Sequence, residues 1–295
     1  MPAPTPPHKG PRACIVSGGD EIRLRSYVNH SIYARTHELD YRLECGLDRG
    51  ITNKFFYKTS IIRRVLPLYD WIIWIDDDAY FTDFDRDNLN EFIDQAERGD
   101  HFMVIANGPT EPNGFWSRIN TGVVIFRNDP RTENLLDLME SSDLVDVRAW
   151  WDEAEHGVFT NGDQDQMLWA LETTGLMNGV RIVDHRELNS RGHYYDSSLD
   201  DAFVMHFCGH FDKQLGIVRF ADRFNIGHEL VPVELLDEFS VKTRSPMPHS
   251  EYLARAARME VVGRSKKRLR PWYHRYKAWQ QSRQDQAVAH TEASG

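Results

Sequence analysis

Cysteine is scarce in this chain of 295 residues, and long apolar runs are missing altogether. Cys14, Cys45 and Cys208 show no CxxC spacing and leave an odd count, which suits a reducing compartment better than a disulfide framework. No stretch approaches the ~18 apolar residues that a membrane-spanning helix needs. The proline-rich start, Met1-Pro-Ala-Pro-Thr-Pro-Pro7, has no apolar signal core and reads as a flexible tail. Positive charge is in deficit: 35 Lys and Arg face 45 Asp and Glu, a net −10 that disfavours the whole chain as a nucleic-acid binder. The signatures GxGxxG, GxxxxGK, HExxH and GxSxG are also missing, which removes dinucleotide, P-loop, zincin and serine-hydrolase chemistry.

Apolar residues make up 41% of the chain, enough for a real core, and the length suits two domains or one large α/β domain. Ala13-Cys-Ile-Val-Ser-Gly-Gly19 is a short apolar run ending in glycines, followed by a helical pattern with Leu24, Tyr27, Val28 and Ile32 on one face. Tyr41, Leu43 and Cys45 alternate with polar residues as a half-buried strand does. A helix carrying Ile61, Ile62, Val65 and Leu66 is stopped by Pro67. Trp71-Ile-Ile-Trp-Ile75 is apolar at every position, as a central strand buried on both faces is. Further strands are expected at 102–106, 122–126, 181–183 and 203–207, and helices at 89–96, 135–139 and 164–171. The alternation predicts an α/β fold with a mostly parallel central sheet flanked by helices. No internal repeat is present. The expected division is a tail over 1–12, a main domain over 13–245 and a helical, basic-aromatic extension over 246–295.

Carboxylates carry the remaining chemistry. Asp76-Asp77-Asp78 follows the most apolar strand, and ligands of open α/β sheets bind beyond the carboxyl ends of strands. Three adjacent carboxylates repel one another unless a cation neutralises them. In an extended segment Asp76 and Asp78 point the same way, so they can share one Mg²⁺ or Mn²⁺. A solvated acidic turn continued by Asp83, Asp85 and Asp87 is the alternative. His206, inside the apolar run 203–207, is either a core histidine or a third ligand, which would favour Mn²⁺. Asp163 is placed to cap the helix that opens at Asn161-Gly-Asp-Gln-Asp-Gln166, and capping leaves the second carboxylate, Asp165, unexplained. Asn120 and Gly122 sit where a ligand or a tight turn needs close backbone approach. Lys58 and Lys213 are candidate phosphate contacts or solvated lysines. Trp150-Trp151 suits stacking on a sugar or burial in the core.

Taken in order, these pieces resemble the retaining, metal-dependent glycosyltransferases of the GT-A fold, family 34 above all. That family includes plant xyloglucan xylosyltransferases and fungal galactosyl- and mannosyltransferases. The resemblance rests on Gly19-Asp20, Lys58 with Arg63-Arg64, the run Trp71–Asp83 with its DxD and Ala79-Tyr-Phe81, Ile119-Asn-Thr-Gly122 with Arg127-Asn128, Asp163-Gln164 and Met205-His-Phe-Cys-Gly209. It spans roughly residues 13–215. Asp163-Gln-Asp165 is also similar to family 8, whose HxxGxxK motif is met by His206 and Gly209, while Lys213 stands one residue late.

The resemblance implies a nucleotide-diphosphate sugar donor, first a UDP-sugar and second a GDP-sugar, and a carbohydrate, lipid-linked or small-molecule acceptor. Asp76, Asp78 and His206 would hold Mn²⁺ or Mg²⁺. Ser17 and Gly18 would meet the nucleotide, Lys58 and Lys213 the diphosphate, and Asn120, Asp163 and Gln164 the sugar. Asp77, Gly122 and Gly209 complete the donor site. Gln164 would lie near the anomeric carbon, with Asp163 and Asp165 as further participants in the chemistry.

The charge is unevenly spread. Residues 264–283 carry Arg264, Lys266, Lys267, Arg268, Arg270, Arg275, Lys277 and Arg283 without an acid, so a net −10 overall means −18 elsewhere. Trp272, Tyr273, Tyr276 and Trp279 lie among them. This mixture suits either an anionic membrane surface or a helix folded on the acidic body. A cytoplasmic enzyme, peripheral on the inner face of a membrane, is the expected setting. Two rivals remain: a non-catalytic nucleotide- or carbohydrate-binding protein of the same fold, and a sugar-1-phosphate nucleotidyltransferase. The latter normally needs a basic glycine-rich loop, and Gly18-Gly19-Asp20-Glu21 is acidic. Asn29-His-Ser31 matches a glycosylation sequon by pattern only.

Overall fold

Side chains alternate across an extended strand, so an all-apolar strand needs a core on each face. The computed structural model, which describes residues 13–46, 56–265 and 268–269, meets that need with helices on both sides of a sheet. Its strands are β1 (Ala13–Gly19), β2 (Asp40–Cys45), β3 (Trp71–Ile75), β4 (Ala79–Phe81), β5 (Met103–Ala106), β6 (Asn120–Arg127), β7 (Val180–Val183) and β8 (Val204–His206). The helices are α1 (Ser26–Thr36), α2 (Tyr57–Val65), α3 (Asn88–Arg98), α4 (Pro130–Ser141), α5 (Leu144–Trp150), α6 (Glu153–His156), α7 (Asp163–Thr173), α8 (His185–Leu188), α9 (Lys213–Phe224) and α10 (Val233–Glu238). The chain divides into two compact units, Met1–Arg244 and Ser245–Gly295.

The main sheet runs β2-β1-β3-β6-β5-β7, and its strands are parallel except β6, which is antiparallel to both neighbours. This is the mostly parallel sheet expected. Ile15, Ile73, Ile75, Val104 and Val123 face a core built with α1 and α3, while Val16, Ile72, Trp74, Met103 and Val124 face one built with α2, α4 and α7. Every residue of β3 is at most 1% exposed. Burying each such side chain contributes roughly 1.5–3 kcal/mol, so β3 is a rigid rod from whose end the acidic triplet departs.

The reversed direction of β6 decides what stands beside that end. Ile75 pairs with Val123, and the Asp76 amide donates to the Gly122 carbonyl at 2.8 Å. The first residues of β6 therefore lie against the last of β3. Past Asp76 the chain turns, with the Ala79 amide donating back to the Asp76 carbonyl at 3.1 Å, and leaves the sheet. β4 then pairs antiparallel with β8 in a separate two-stranded ribbon that sets Ala79 opposite His206. The 203–207 strand is thus not part of the main sheet.

The inner face of α1 also differs from the amphipathic pattern. Leu24 precedes the helix and Tyr27 is exposed, whereas Asn29 and His30 are buried. Asn29 Nδ2 donates to the carbonyls of Phe81, Glu229 and Leu230 at 2.9, 3.2 and 3.1 Å, and its Oδ1 accepts from the Phe81 amide at 2.8 Å. The side chain knits α1 to β4 and is wholly enclosed, so the sequon is closed to modification in the folded state.

In the second unit, residues 249–265 are helical, with Glu251–Arg255 and Glu260–Arg264 ion pairs one turn apart. Most of the basic segment 264–283, like the 1–12 tail, lies outside the described residues. Among those described, no helix is long and apolar enough to cross a membrane.

His30 supplies a test of the fold. Its Nε2–H donates to the Ala79 carbonyl at 2.7 Å, while Nδ1 is buried without a partner. Burial, against the pull of that carbonyl, lowers its pKa from 6.5 to about 4. Between these values the unfolded chain binds the proton and the folded one does not, so the stabilisation is complete above pH 6.5 and is lost as pH falls toward 4. We expect His30 to account for about 3 kcal/mol of acid destabilisation. Urea titrations between pH 7 and 4 should show a shallower decline for His30→Gln than for the unsubstituted protein.

Candidate metal and donor site

Asp76 and Asp78 are each gripped on one oxygen and turned toward His206 with the other. Asp76 Oδ1 accepts from the Trp74 indole at 2.7 Å and meets Lys58 Nζ at 3.1 Å, leaving Oδ2 3.9 Å from His206 Nε2. Asp78 Oδ2 meets Lys213 Nζ at 2.5 Å, leaving Oδ1 3.1 Å from the same nitrogen. Trp74 reaches Asp76 because residues two apart share a strand face. One ligand atom from each of Asp76, Asp78 and His206 lies within 4.8 Å of the others. Metal–oxygen and metal–nitrogen bonds of about 2.0–2.2 Å bring two ligands to within roughly 4.2 Å of each other, so a small contraction closes the cluster on a cation. Two carboxylates and an imidazole are a donor set that suits Mn²⁺. The residues fit the metal that the resemblance implies.

The local field follows from this crowding. Burial alone would raise the Asp78 pKa, but His206 and Lys213 hold its carboxyl well below the usual carboxylate range. At Asp77 burial, then Asp78 and Asp76, outweigh the pull of Lys213 and Arg23 and push the carboxyl up to about 6.

Behind the cluster Lys58 ties four elements together. From α2 its ammonium reaches Asp163 Oδ2 at 2.8 Å, Asp76 Oδ1 at 3.1 Å and the Thr121 carbonyl at 2.9 Å. Burial disfavours this ammonium, but Asp163 and Asp76 overcome the penalty and raise its pKa above the ordinary lysine value. All three N–H groups have acceptors inside the protein. Lys213 differs: it opens α9 and its side chain is 39% exposed.

Gly122 makes room for the histidine. A Cβ there would lie 2.2 Å from His206 Cε1. Asn120 is also committed: its Oδ1 accepts from the Gly122 amide at 3.0 Å and from Asn189 Nδ2 at 2.6 Å. Gly209 has φ +73° with open space where a side chain would project, and turns the chain from β8 toward α9.

The capping of α7 needs correction. The capping carboxylate of α7 is Asp165, not Asp163: buried, it accepts from the amides of Thr160, Asn161 and Gly162 and from the Thr160 hydroxyl. Asp163 and Gln164 begin the first turn of α7; Asp163 Oδ2 also accepts from Thr121 Oγ1 at 3.0 Å, and both residues are half-buried. The Ser17 hydroxyl is buried against Tyr41 Oη at 2.8 Å, and a Cβ on Gly18 would strike the Glu44 carbonyl at 2.3 Å. Both serve the packing of β1 on β2. Trp151 belongs to the core and donates to the Gly157 carbonyl at 2.8 Å, and Trp150 stacks on His156 at 4.1 Å.

Asn189 and Arg191 escaped sequence reasoning because Glu187-Leu-Asn-Ser-Arg191 carries no motif; only the fold sets them beside His206. The role of Trp74 was available from its i, i+2 relation to Asp76.

No protein-family model matches the chain. It is similar to Glycosyltransferase 6 of Arabidopsis thaliana, with 29% identity over 140 residues, covering 45% of this chain and 31% of that one. It is also similar to Galactomannan galactosyltransferase 1 of Cyamopsis tetragonoloba, with 31% identity over 124 residues, covering 40% of this chain and 27% of that one. The chain thus spans about a third or less of the length of these curated relatives. Among solved structures, a glycosyltransferase involved in the glycosylation of the major capsid of PBCV-1 superposes with a TM-score of 0.52 at 20% identity, covering 68% of this chain and 96% of that one. The α/β fold is of the GT-A kind, and the relatives are glycosyltransferases of the plant type that the resemblance named.

Two substitutions probe the geometry. Gly122→Ala should force the His206 ring aside and weaken Mn²⁺ binding about 10–100-fold, read by calorimetry, with the circular dichroism spectrum unchanged. Lys58→Met leaves the Asp76 and Asp163 carboxylates facing each other without their cation, and should cost about 3–5 kcal/mol in urea denaturation.

Proposed function

We propose that this chain is a metal-dependent, retaining glycosyltransferase that moves a sugar from a nucleotide-diphosphate donor to a hydroxyl acceptor. One observation carries the proposal: Asp76 Oδ2, Asp78 Oδ1 and His206 Nε2 converge at the carboxyl end of β3, while Lys58 and Lys213 hold the oxygens that face away. The similarity to named glycosyltransferases supports the same activity. A UDP-sugar is the donor we favour, with a carbohydrate acceptor.

Asp76, Asp78 and His206 would hold Mn²⁺ or Mg²⁺, which supplies Lewis-acid charge to the departing diphosphate. Lys213, partly exposed and, among the described residues, ion-paired with Asp78 alone, is the lysine able to turn toward that diphosphate. Its position at the first residue of α9 adds the helix's N-terminal dipole to its charge, which favours an anion there. Asp163 and Gln164 face the donor sugar from the first turn of α7. Gln164 offers an amide, not a carboxylate nucleophile, which supports front-face attack in which the acceptor enters on the side the diphosphate leaves. Lys58 contributes by fixing Asp76 and Asp163 in register.

Asp78→Asn is the decisive variant. It removes charge from the cluster without changing its shape. Mn²⁺-dependent hydrolysis or transfer from a panel of nucleotide sugars should fall by about 10²-fold or more, since a Lewis-acid contribution of several kcal/mol is lost. Turnover equal to the unsubstituted protein, or turnover unaffected by chelator, would defeat the assignment.

A further inference from the structure

We infer that Asn189 is a positioning residue of the metal centre: it fixes the His206 ring with its proton on Nδ1 and so presents Nε2 to the cation. The inference rests on the metal site proposed above and adds a residue outside the expected ligand set.

The argument starts from a donor that cannot flip. The backbone N–H of Gly122 points at the Asn120 side chain at 3.0 Å, so the Asn120 atom facing it is the carbonyl oxygen, Oδ1. That same oxygen lies 2.6 Å from one terminal atom of the Asn189 amide, which must therefore be the NH₂ group. The other Asn189 terminus is then the oxygen. A second fixed donor agrees: Arg191 Nη1 lies 3.4 Å from it, and a guanidinium has no acceptor. Arg191 is itself held by Glu111 Oε1 at 2.9 Å. Reversing the Asn189 amide would set two oxygens 2.6 Å apart and turn its NH₂ onto a guanidinium.

His206 Nδ1 lies 2.9 Å from the Asn189 oxygen, so Nδ1 carries the proton. Nε2 is left facing Asp78 Oδ1 and Asp76 Oδ2. Asn189, Asn120, Arg191 and His206 are all buried, so water does not substitute for any member of this relay. The backbone holds Asn189 in place: its amide donates to the His185 carbonyl at 2.7 Å, and the next residue, Ser190, pairs with β8 through the Val204 carbonyl and the His206 amide. The same strand contact that carries His206 thus carries its orienting amide. A ligand histidine whose far nitrogen is oriented in this way binds metal more tightly, and loss of the orienting group typically costs about 10–100-fold in affinity.

The experiment has two arms. Calorimetric titration with Mn²⁺ compares the unsubstituted protein with Asn189→Leu, which removes the acceptor. We expect N189L to bind about 10–100-fold more weakly. Equal affinity for N189L overturns the inference. Long-range ¹H–¹⁵N spectra of the metal-free, unsubstituted protein, labelled at histidine, form the second arm and need no variant to fold. A proton on His206 Nδ1 supports the inference, and a ring protonated on Nε2 alone overturns it. If the unsubstituted protein binds no Mn²⁺, the proposed function fails, while the spectra still decide the role of Asn189.

Discussion

The buried ammonium of Lys58 is the constraint on which the site depends. Its three protons go to Asp76 at the end of β3, Asp163 at the start of α7 and the carbonyl of Thr121 in β6. Those groups belong to elements far apart in sequence, and two of them repel each other. An ammonium without good acceptors would not stay charged at this depth, and the carboxylates would not approach without the ammonium. The interaction is therefore mutual, and it sets the position of the end of β3 relative to the first turn of α7.

From that point the remainder of the site is a matter of directing lone pairs. Asp76 and Asp78 each have one oxygen neutralised by a lysine and one left over, and the leftover oxygens share the face toward His206. Trp74 adds a second hold on Asp76, and Gly122 provides the space in which the imidazole lies. The two lysines are not equivalent. Lys58 is enclosed with all its partners inside the protein, whereas Lys213 has one carboxylate and a route to solvent. The first suits a permanent fixture and the second a group that exchanges partners.

Much of the fold was legible because its signals are local. An all-apolar WIIWI run has few places to go but the centre of a sheet, and the helices with 3.6-residue apolar spacing lie where that spacing puts them. The acidic triplet after β3 marked the site for the same reason. What was not legible came from long-range pairing. Apolar alternation gives no direction to a strand, so nothing in 120–127 announced that β6 runs antiparallel and brings Asn120–Gly122 to the end of β3 beside the acidic triplet. Nor could spacing show that β8 leaves the main sheet for a ribbon with β4. The polar inner face of α1 was missed because Asn29 and His30 are buried through specific hydrogen bonds to β4, which hydropathy does not record. The capping of α7 fell to Asp165 rather than Asp163 because two carboxylates at one helix start differ in where their oxygens point.

Asp78 and His206 are 128 residues apart along the chain, yet their side chains touch. An unfolded chain therefore holds no such cluster, because closing so long a loop costs entropy that only the folded structure offsets. A cation that binds only the finished arrangement draws the population toward it, by about 2.7 kcal/mol at a free concentration one hundred times its dissociation constant. The protein's resistance to heat would then follow the supply of divalent metal, and the ribbon formed by β4 and β8 would be the part of the fold most sensitive to its withdrawal.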